Sequence, residues 1–409
     1  MLLARLLERG ITNGRLTVID ARGRKHEFGQ DASPAVAIRL HDRALHWRLL
    51  LNPALAAGEA YMDGTLTMER GSLYDFLDLV GRNSEGVRKG TLADRLSLLL
   101  RRLHQHNSAR LSRRNVAHHY DISERLYDLF LDRDRQYSCA YFPDGDESLE
   151  TAQLRKKQHI AAKLLLKPGQ RVLDIGCGWG GLALYLAETW GVDVTGITLA
   201  ENQVDHARQR LERASAGDRV RFALRDYRDQ TGSFERIVSV GMFEHVGIVN
   251  YRSFFDKLAE LLADDGVALL HTIGRCEPPG ATNAWLRKYI FPGGYSPALS
   301  EVLPAIEQAG LWVTDIEVLR LHYAYTLRHW RRRLIANWGE VAALHGERFC
   351  RMWDFYLAGC EMAFRYDRLA VFQIQLSKSI EAVPLTRDYM FETERRVRRE
   401  RHEAADQAA

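Results

Sequence analysis

The chain is predicted to be an α/β protein built on a mostly parallel sheet, preceded by a smaller N-terminal α+β domain. Three observations predict it. From about residue 116 onward, short β-rich segments alternate with helical spacing, and strands alternating with helices of that length form βαβ units. A glycine-rich turn follows the first of those segments. Ahead of them, residues 1–80 hold alternating segments separated by turn residues, which read as a small antiparallel sheet.

Taken in order, Met1–Arg9 reads as one amphipathic helix, too short and too charged for a secretory apolar core. Arg15–Ile19, Ala35–Ile38 and Ala44–Leu49 are expected as strands, with turns at Asn13-Gly14 and Arg22-Gly23. Leu73–Val80 has helical spacing. Residues 81–115 read as a basic helical linker, with a helix over Leu92–His104. In the region 116–391 the expected strands are Arg171–Ile175, Val192–Ile197, Val220–Ala223, Ile237–Val240 and Val267–Leu270. Two more, Leu311–Leu319 and Val371–Leu376, bracket a long helical stretch, Thr326–Tyr366. Residues 392–409 read as a charged tail that frays.

At about 100–200 residues per domain, 409 residues suggest two to three domains. Charged residues at 27% and apolar residues at 46% exclude a disordered, collagen-like or disulfide-stapled chain. No run of apolar residues is long enough for a spanning helix. Five cysteines, an odd number with no C-x-x-C pair, argue against a disulfide framework and a structural zinc site. A cytoplasmic chain with reduced thiols and no metal is expected. The net charge of +4 is too mild to imply nucleic acid. Its distribution matters more: residues 82–114 hold nine Lys or Arg against Glu85 and Asp94, and a second cluster runs Arg395–Arg399. Such clusters suit either an anionic membrane surface or plain solvated helix faces.

The strongest local signal is Val172–Gly181, in which Gly176, Gly178 and Gly181 fit G-x-G-x-x-G between a strand and a helix. Glycines there let the backbone approach a ligand at a helix N-terminus. Dinucleotide and S-adenosylmethionine sites share this geometry; a P-loop is excluded, since the chain has no Gly-Lys pair. Asp174 sits in the strand end, where a carboxylate suits a sulfonium amino acid and would repel a pyrophosphate. A dinucleotide site also wants an acidic residue closing the second strand. Here that strand closes with Gly196-Ile197-Thr198-Leu199, and Glu201 lies beyond it at a helix start. Adenosylmethionine is the favoured ligand.

With these motifs in view, the sequence resembles the cyclopropane-fatty-acyl-phospholipid synthases and the related mycolic acid cyclopropane synthases over nearly its whole length. The resemblance rests on Gly58–Gly64 (Gly-Glu-Ala-Tyr-Met-Asp-Gly), Tyr137–Phe142, Leu173–Gly181, Gly241–Gly247, Leu270–Gly274, Lys288–Gly294 and His322–Leu327. It departs at Tyr120-Asp121-Ile122-Ser123-Glu124, where the family carries Gly-Asn after Tyr-Asp. The resemblance implies a class I S-adenosylmethionine-dependent methyltransferase (Rossmann-like) domain at 116–391 and a lipid-binding N-terminal domain at 1–80. It further implies cofactor contacts from Tyr137, Ser138, Asp174, Gly176, Gly178, Thr198, Leu199 and Gln203. A bound bicarbonate would be held by Cys139, Glu244, His271 and Tyr323, the implied catalytic residues. The implied substrates are unsaturated phospholipids, met by a peripheral enzyme on the inner membrane face; a homodimer is left open.

The chemistry explains the residue types. An unactivated cis double bond is a poor nucleophile and needs a strong electrophile, which a methylsulfonium provides. Methyl transfer leaves a carbocation, and ring closure then removes a proton from the new methyl group. A base must therefore stand near a cation without trapping it, and an ion pinned by Cys139, Glu244, His271 and Tyr323 would meet that demand. Tyr323 and the aromatics of Lys288–Tyr295 could stabilise the cation by about 0.5–2 kcal/mol per ring. Taken alone, His271 reads as a core histidine and Cys139 as a small buried hydrophobe. The aromatic stripe Trp330, Trp338, Phe349, Trp353, Phe355, Tyr356 and Phe364 reads as core, or in part as an acyl slot. Two other outcomes share the motifs: a methyl-branched or methylene product, and a lipid-binding protein without catalysis.

Overall fold

Strands buried on both faces read as runs dominated by apolar residues, because helices cover both sides of a parallel sheet. The structure is a computed structural model that describes residues 2–30, 35–84 and 123–408. The runs become β5 (Arg171–Ile175), β6 (Asp193–Thr198), β7 (Val220–Leu224), β8 (Phe234–Val240) and β9 (Leu262–Arg275). β7, β6, β5, β8 and β9 pair in that order, all parallel. β10 (Trp312–Leu319) pairs antiparallel with β11 (Leu369–Ser377), giving the order β10-β11-β9-β8-β5-β6-β7. This is the expected α/β sheet.

Neighbouring residues of β5 serve different faces, as the two-residue strand period demands. Leu173 and Ile175 join a core with Phe243, Phe254, Phe255 and Phe372. Val172 joins another with Ala183, Leu186 and Val194. The chain runs outward from β5 through β6 to β7, then returns to β8 on the other side of β5. That reversal opens a crevice beyond the C-terminal ends of β5 and β8, the place where ligands sit in such sheets.

The chain divides into two compact units. The described residues of the first fall within Met1–Gln105, Gly280–Gly294 and Tyr323–Leu369; those of the second within His106–Pro279, Tyr295–His322 and Ala370–Ala409. The first unit carries a four-stranded sheet, β2-β1-β3-β4, of β1 (Arg15–Ile19), β2 (Lys25–Phe28), β3 (Ala35–Leu40) and β4 (Leu66–Arg70). It is mixed, not antiparallel as expected: β1 pairs antiparallel with β2 but parallel with β3. The hairpin explains this. β2 ends opposite Leu16, beside the start of β1, so a short connection reaches the start of β3 on the other edge.

Ala44–Leu49, expected as a strand, is instead the helix Leu45–Leu51. Leu45 is buried and Leu49 packs on the same core, the i, i+4 spacing of one helix face. Thr326–Tyr366 resolves into parts of three helices, His322–Ala336, Trp338–His345 and Glu347–Tyr366, broken at Asn337 and Gly346. Trp330, Trp353, Tyr356 and Phe364 are buried there. In the same unit Glu59 accepts from Lys288 Nζ (2.6 Å) and Tyr289 Oη (3.0 Å), joining two of the family motifs.

The tail expected to fray is the helix Asp388–Ala408, whose Met390, Glu394 and Val397 are buried. Glu394 Oε1 lies 2.5 Å from His159 Nδ1, and Glu317 Oε2 lies 2.6 Å from His159 Nε2. Burial favours the neutral ring, but the two carboxylates hold His159 above its usual range. The linker helix over Leu92–His104 and the Tyr120–Ile122 departure lie outside the described residues.

Candidate active site

The floor of the crevice is the turn between β5 and the helix Gly181–Trp190. Gly176 N and Cys177 N donate to Ile197 O (2.9 and 3.0 Å), tying the turn to β6. Gly178 has φ +54°, and a Cβ built there would meet nothing within 4 Å. That space belongs to a cavity. Tyr137, Ser138, Asp174, Gly176, Gly178, Thr198, Leu199 and Gln203, the eight cofactor residues named from the sequence, all line it. Thr198 Oγ1 donates to Gln203 Oε1 (2.9 Å), fixing one wall. Tyr137 packs edge-on against Tyr127 and Phe130, and Tyr127 also meets Trp179 of the glycine turn. Arg225, Tyr227 and Arg228, after β7, and His245, after β8, are among the further lining residues to which the sequence reading gave no cofactor role.

Asp174 is 1% exposed, and its Oδ2 has no hydrogen-bond partner among the described residues. Burial raises its carboxyl to about 7, against the opposing pull of the Lys156 charge. A buried carboxylate without a partner is costly, and a cationic ligand removes that cost. The methionine part of S-adenosylmethionine carries such charge, so the residues fit it.

Cys139, Glu244 and His271 stand outside the cavity lining but are held against it. His271 follows β8's register in β9, and its carbonyl accepts from Gly241 N (2.9 Å) of the lining. Its Nδ1 lies 3.1 Å from Gln373 Nε2. Burial, with the nearby Lys156 and Lys163 charges, keeps its ring neutral. Glu244 Oε1 accepts from Ile273 N (2.6 Å), whereas its Oε2 is buried without a partner among the described residues. Burial lifts the Glu244 carboxyl to about 7, despite the opposing pull of the Ile273 and Glu244 amides and the Thr272 hydroxyl. Burial also lowers His245, to about 4. Cys139 is buried, its thiol directed at Ala140 O (3.3 Å). Tyr323 belongs to the first unit, where its ring packs on Trp330 and Phe364.

Lys156, Gln136 and Gln153 were not foreseen. Lys156 Nζ donates to Gln136 Oε1 (2.6 Å) and Ser138 Oγ (2.9 Å). In sequence it sits in Arg155-Lys156-Lys157, a run that reads as a solvated helix face, so no local signal marks it.

The family model for mycolic acid cyclopropane synthetase matches residues 107–374. The chain belongs to this family. It is 38% identical to the cyclopropane-fatty-acyl-phospholipid synthase of Escherichia coli (strain K12) over 351 residues, 86% of this chain and 90% of that protein. It is 37% identical to a probable fatty acid methyltransferase of Pseudomonas putida over 388 residues, 90% of this chain and 94% of that protein. Among solved structures it resembles the cyclopropane synthase MmaA2 from Mycobacterium tuberculosis (TM-score 0.62, 34% identity, 65% of this chain and 98% of that one). It also resembles mycolic acid cyclopropane synthase CmaA1 complexed with SAH and CTAB (TM-score 0.61, 36% identity, 64% and 97%). The chain is an S-adenosylmethionine-dependent methyltransferase of the class I Rossmann-like fold.

Proposed function

We propose that this enzyme adds a methylene group from S-adenosylmethionine across the cis double bond of unsaturated phospholipid acyl chains, closing a cyclopropane ring. The observation that carries the reading is the meeting, at one sheet crevice, of a cation-seeking cavity floored by Asp174 with the buried Glu244 and neutral His271. The likeness to the Escherichia coli synthase over 86% of the chain supports it.

S-Adenosylmethionine supplies an electrophilic methyl group when bound. Asp174 would anchor its charged amino-acid part, Thr198, Leu199 and Gln203 its adenosine side, and Tyr137 and Ser138 the cover. Bicarbonate also fits the remaining groups: Glu244 Oε2 is buried without a partner among the described residues, and near neutral pH its acid form can donate to an oxyanion. Cys139, Glu244 and His271 of the second unit would hold the ion, which would supply a proton acceptor that is a poor trap for a cation. With Nδ1 accepting from the Gln373 amide, the neutral His271 ring carries its proton on Nε2 and can donate a hydrogen bond to the ion.

Lipids extracted from a host rich in unsaturated phospholipids decide the product. Expression is expected to add one CH₂ to acyl chains and remove their double bond, so that mild hydrogenation leaves the new species unchanged. Uptake of two hydrogens would instead mark a methylene or methyl-branched alkene, the alternative product class.

Such a substrate requires docking on a bilayer, and no helix among the described residues is long and apolar enough to cross one. The basic stretch 82–114 would contribute about 1 kcal/mol per Lys or Arg near an anionic surface; beyond residue 84 it lies outside the described residues, and Arg82 pairs with Asp78. In the first unit the helix Leu45–Leu51 exposes Trp47 (62%) and Leu51 (69%) one turn apart. An apolar side chain buried in lipid is worth about 1.5–3 kcal/mol, and tryptophan favours the interface. Trp47→Ala with Leu51→Ser is expected to lower co-sedimentation with anionic phospholipid vesicles at least tenfold. Unchanged sedimentation would move docking to another surface.

A further inference from the structure

Lys156 is 1% exposed and stands behind both halves of the site. Its Nζ holds the side chains of Gln136 (2.6 Å) and Ser138 (2.9 Å). One turn earlier on the same helix, Leu149–Lys163, Gln153 Nε2 donates to the carbonyls of Gln136 (3.1 Å) and Ser138 (3.0 Å). The helix thus grips side chains and main chain of the segment that runs into Cys139, and both gripped residues line the cavity. Asp174, across from this segment, has a buried Oδ2 without a partner among the described residues. The titratable groups around Lys156 are Asp132 and Asp134 on the preceding loop, Lys157 on its own helix, Asp174 on β5, Cys139, and the neutral His271 on β9. Around Asp174 they are Lys156 and the Cys177 thiol, which burial pushes far above its usual range.

We propose that Lys156 is a positioning residue of the methyl-transfer reaction: one buried ammonium fixes the Gln136–Cys139 segment against the cavity and sets a positive charge near Asp174 that favours the carboxylate form, the form that receives the cationic end of the cofactor. The proposal rests on the methyltransferase reading. Burial alone would leave Asp174 protonated at neutral pH, and a neutral acid attracts no cation. The nearby ammonium opposes burial, and it is itself pulled down to about 8 by burial.

The test is the affinity for S-adenosylmethionine, measured by calorimetry from pH 6 to 9, a readout that a purely structural lysine would not shift. In the wild type, affinity is expected to rise with pH through about 7, as Asp174 ionises. Lys156→Met is expected to move that midpoint upward by about one pH unit, with roughly a fivefold loss of affinity at pH 7 that is regained at higher pH. Lys156→Arg should return the midpoint to the wild-type position, and Asp174→Asn should flatten the profile. An unmoved midpoint in Lys156→Met overturns the proposal. If that variant fails to fold, a Lys156→Arg protein whose midpoint lies above that of the wild type also overturns it. Wild-type protein that binds no S-adenosylmethionine at any pH would refute the methyltransferase reading instead.

Discussion

Replacing Gly178 by valine is expected to raise the dissociation constant for S-adenosylmethionine at least a hundredfold, about 2.7 kcal/mol, while the fold persists. The space beside the Gly178 Cα holds no protein atom within 4 Å and opens on the cavity. A side chain there displaces ligand, not protein. Valine must also adopt φ +54°, the left-handed region, at a cost of roughly 1–2 kcal/mol. Gly217 separates the two effects, because it has the same φ of +54°, equally open surroundings, and no part in the cavity. Gly217→Val should show the strain as a lowered melting temperature and bind cofactor normally. Calorimetry on both variants, with circular dichroism to follow melting, makes the comparison. Normal affinity in Gly178→Val would place the cofactor elsewhere.

Glu244→Ala and His271→Ala should each lower turnover by about 10²–10⁴-fold, the usual worth of a positioned acid or base. Affinity for S-adenosylmethionine should stay within a fewfold, since neither residue lines the cofactor cavity. The pH dependence has a definite sign. Burial holds the Glu244 carboxyl near 7, above its usual value of 4.5. Its contribution to stability is therefore fully present below about 4.5 and lost as pH rises through about 7. Glu244→Ala should remove that part of the decline in melting temperature between pH 5 and 8. In a carbon-dioxide-depleted assay, added bicarbonate should restore the wild type but not Glu244→Ala. Equal losses of affinity and turnover would show that these residues shape the cofactor cavity and do not serve the proton step.

Where a short segment carries its own geometric demand, the sequence sufficed. Val172, Leu173 and Ile175 are apolar because both faces of β5 are covered, Asp174 is the one polar residue among them, and side chains at Gly176, Gly180 and Gly181 would obstruct the turn that follows. Ala44–Leu49 misled for a related reason. Polar and apolar residues alternate there, yet the buried contacts of Leu45 and Leu49 follow the helical period, and a six-residue window satisfies both patterns. The pairing of β1 with β3 also escaped, since alternation marks a strand but says nothing of which edge its neighbour takes.

By itself, then, the sequence determined the strand–helix alternation, the glycine turn and the residue types its chemistry requires, because local backbone geometry and side-chain chemistry are properties of short segments. Tertiary structure alone decided that residues 280–294 and 323–369 pack into a unit with the N-terminal sheet. It also decided that Lys156, in a run of cations, is buried behind Ser138, and that the Asp174 and Glu244 carboxyls are raised to about 7. Those properties come from desolvation, and the loss of water around a charge depends on what distant parts of the chain pack over it.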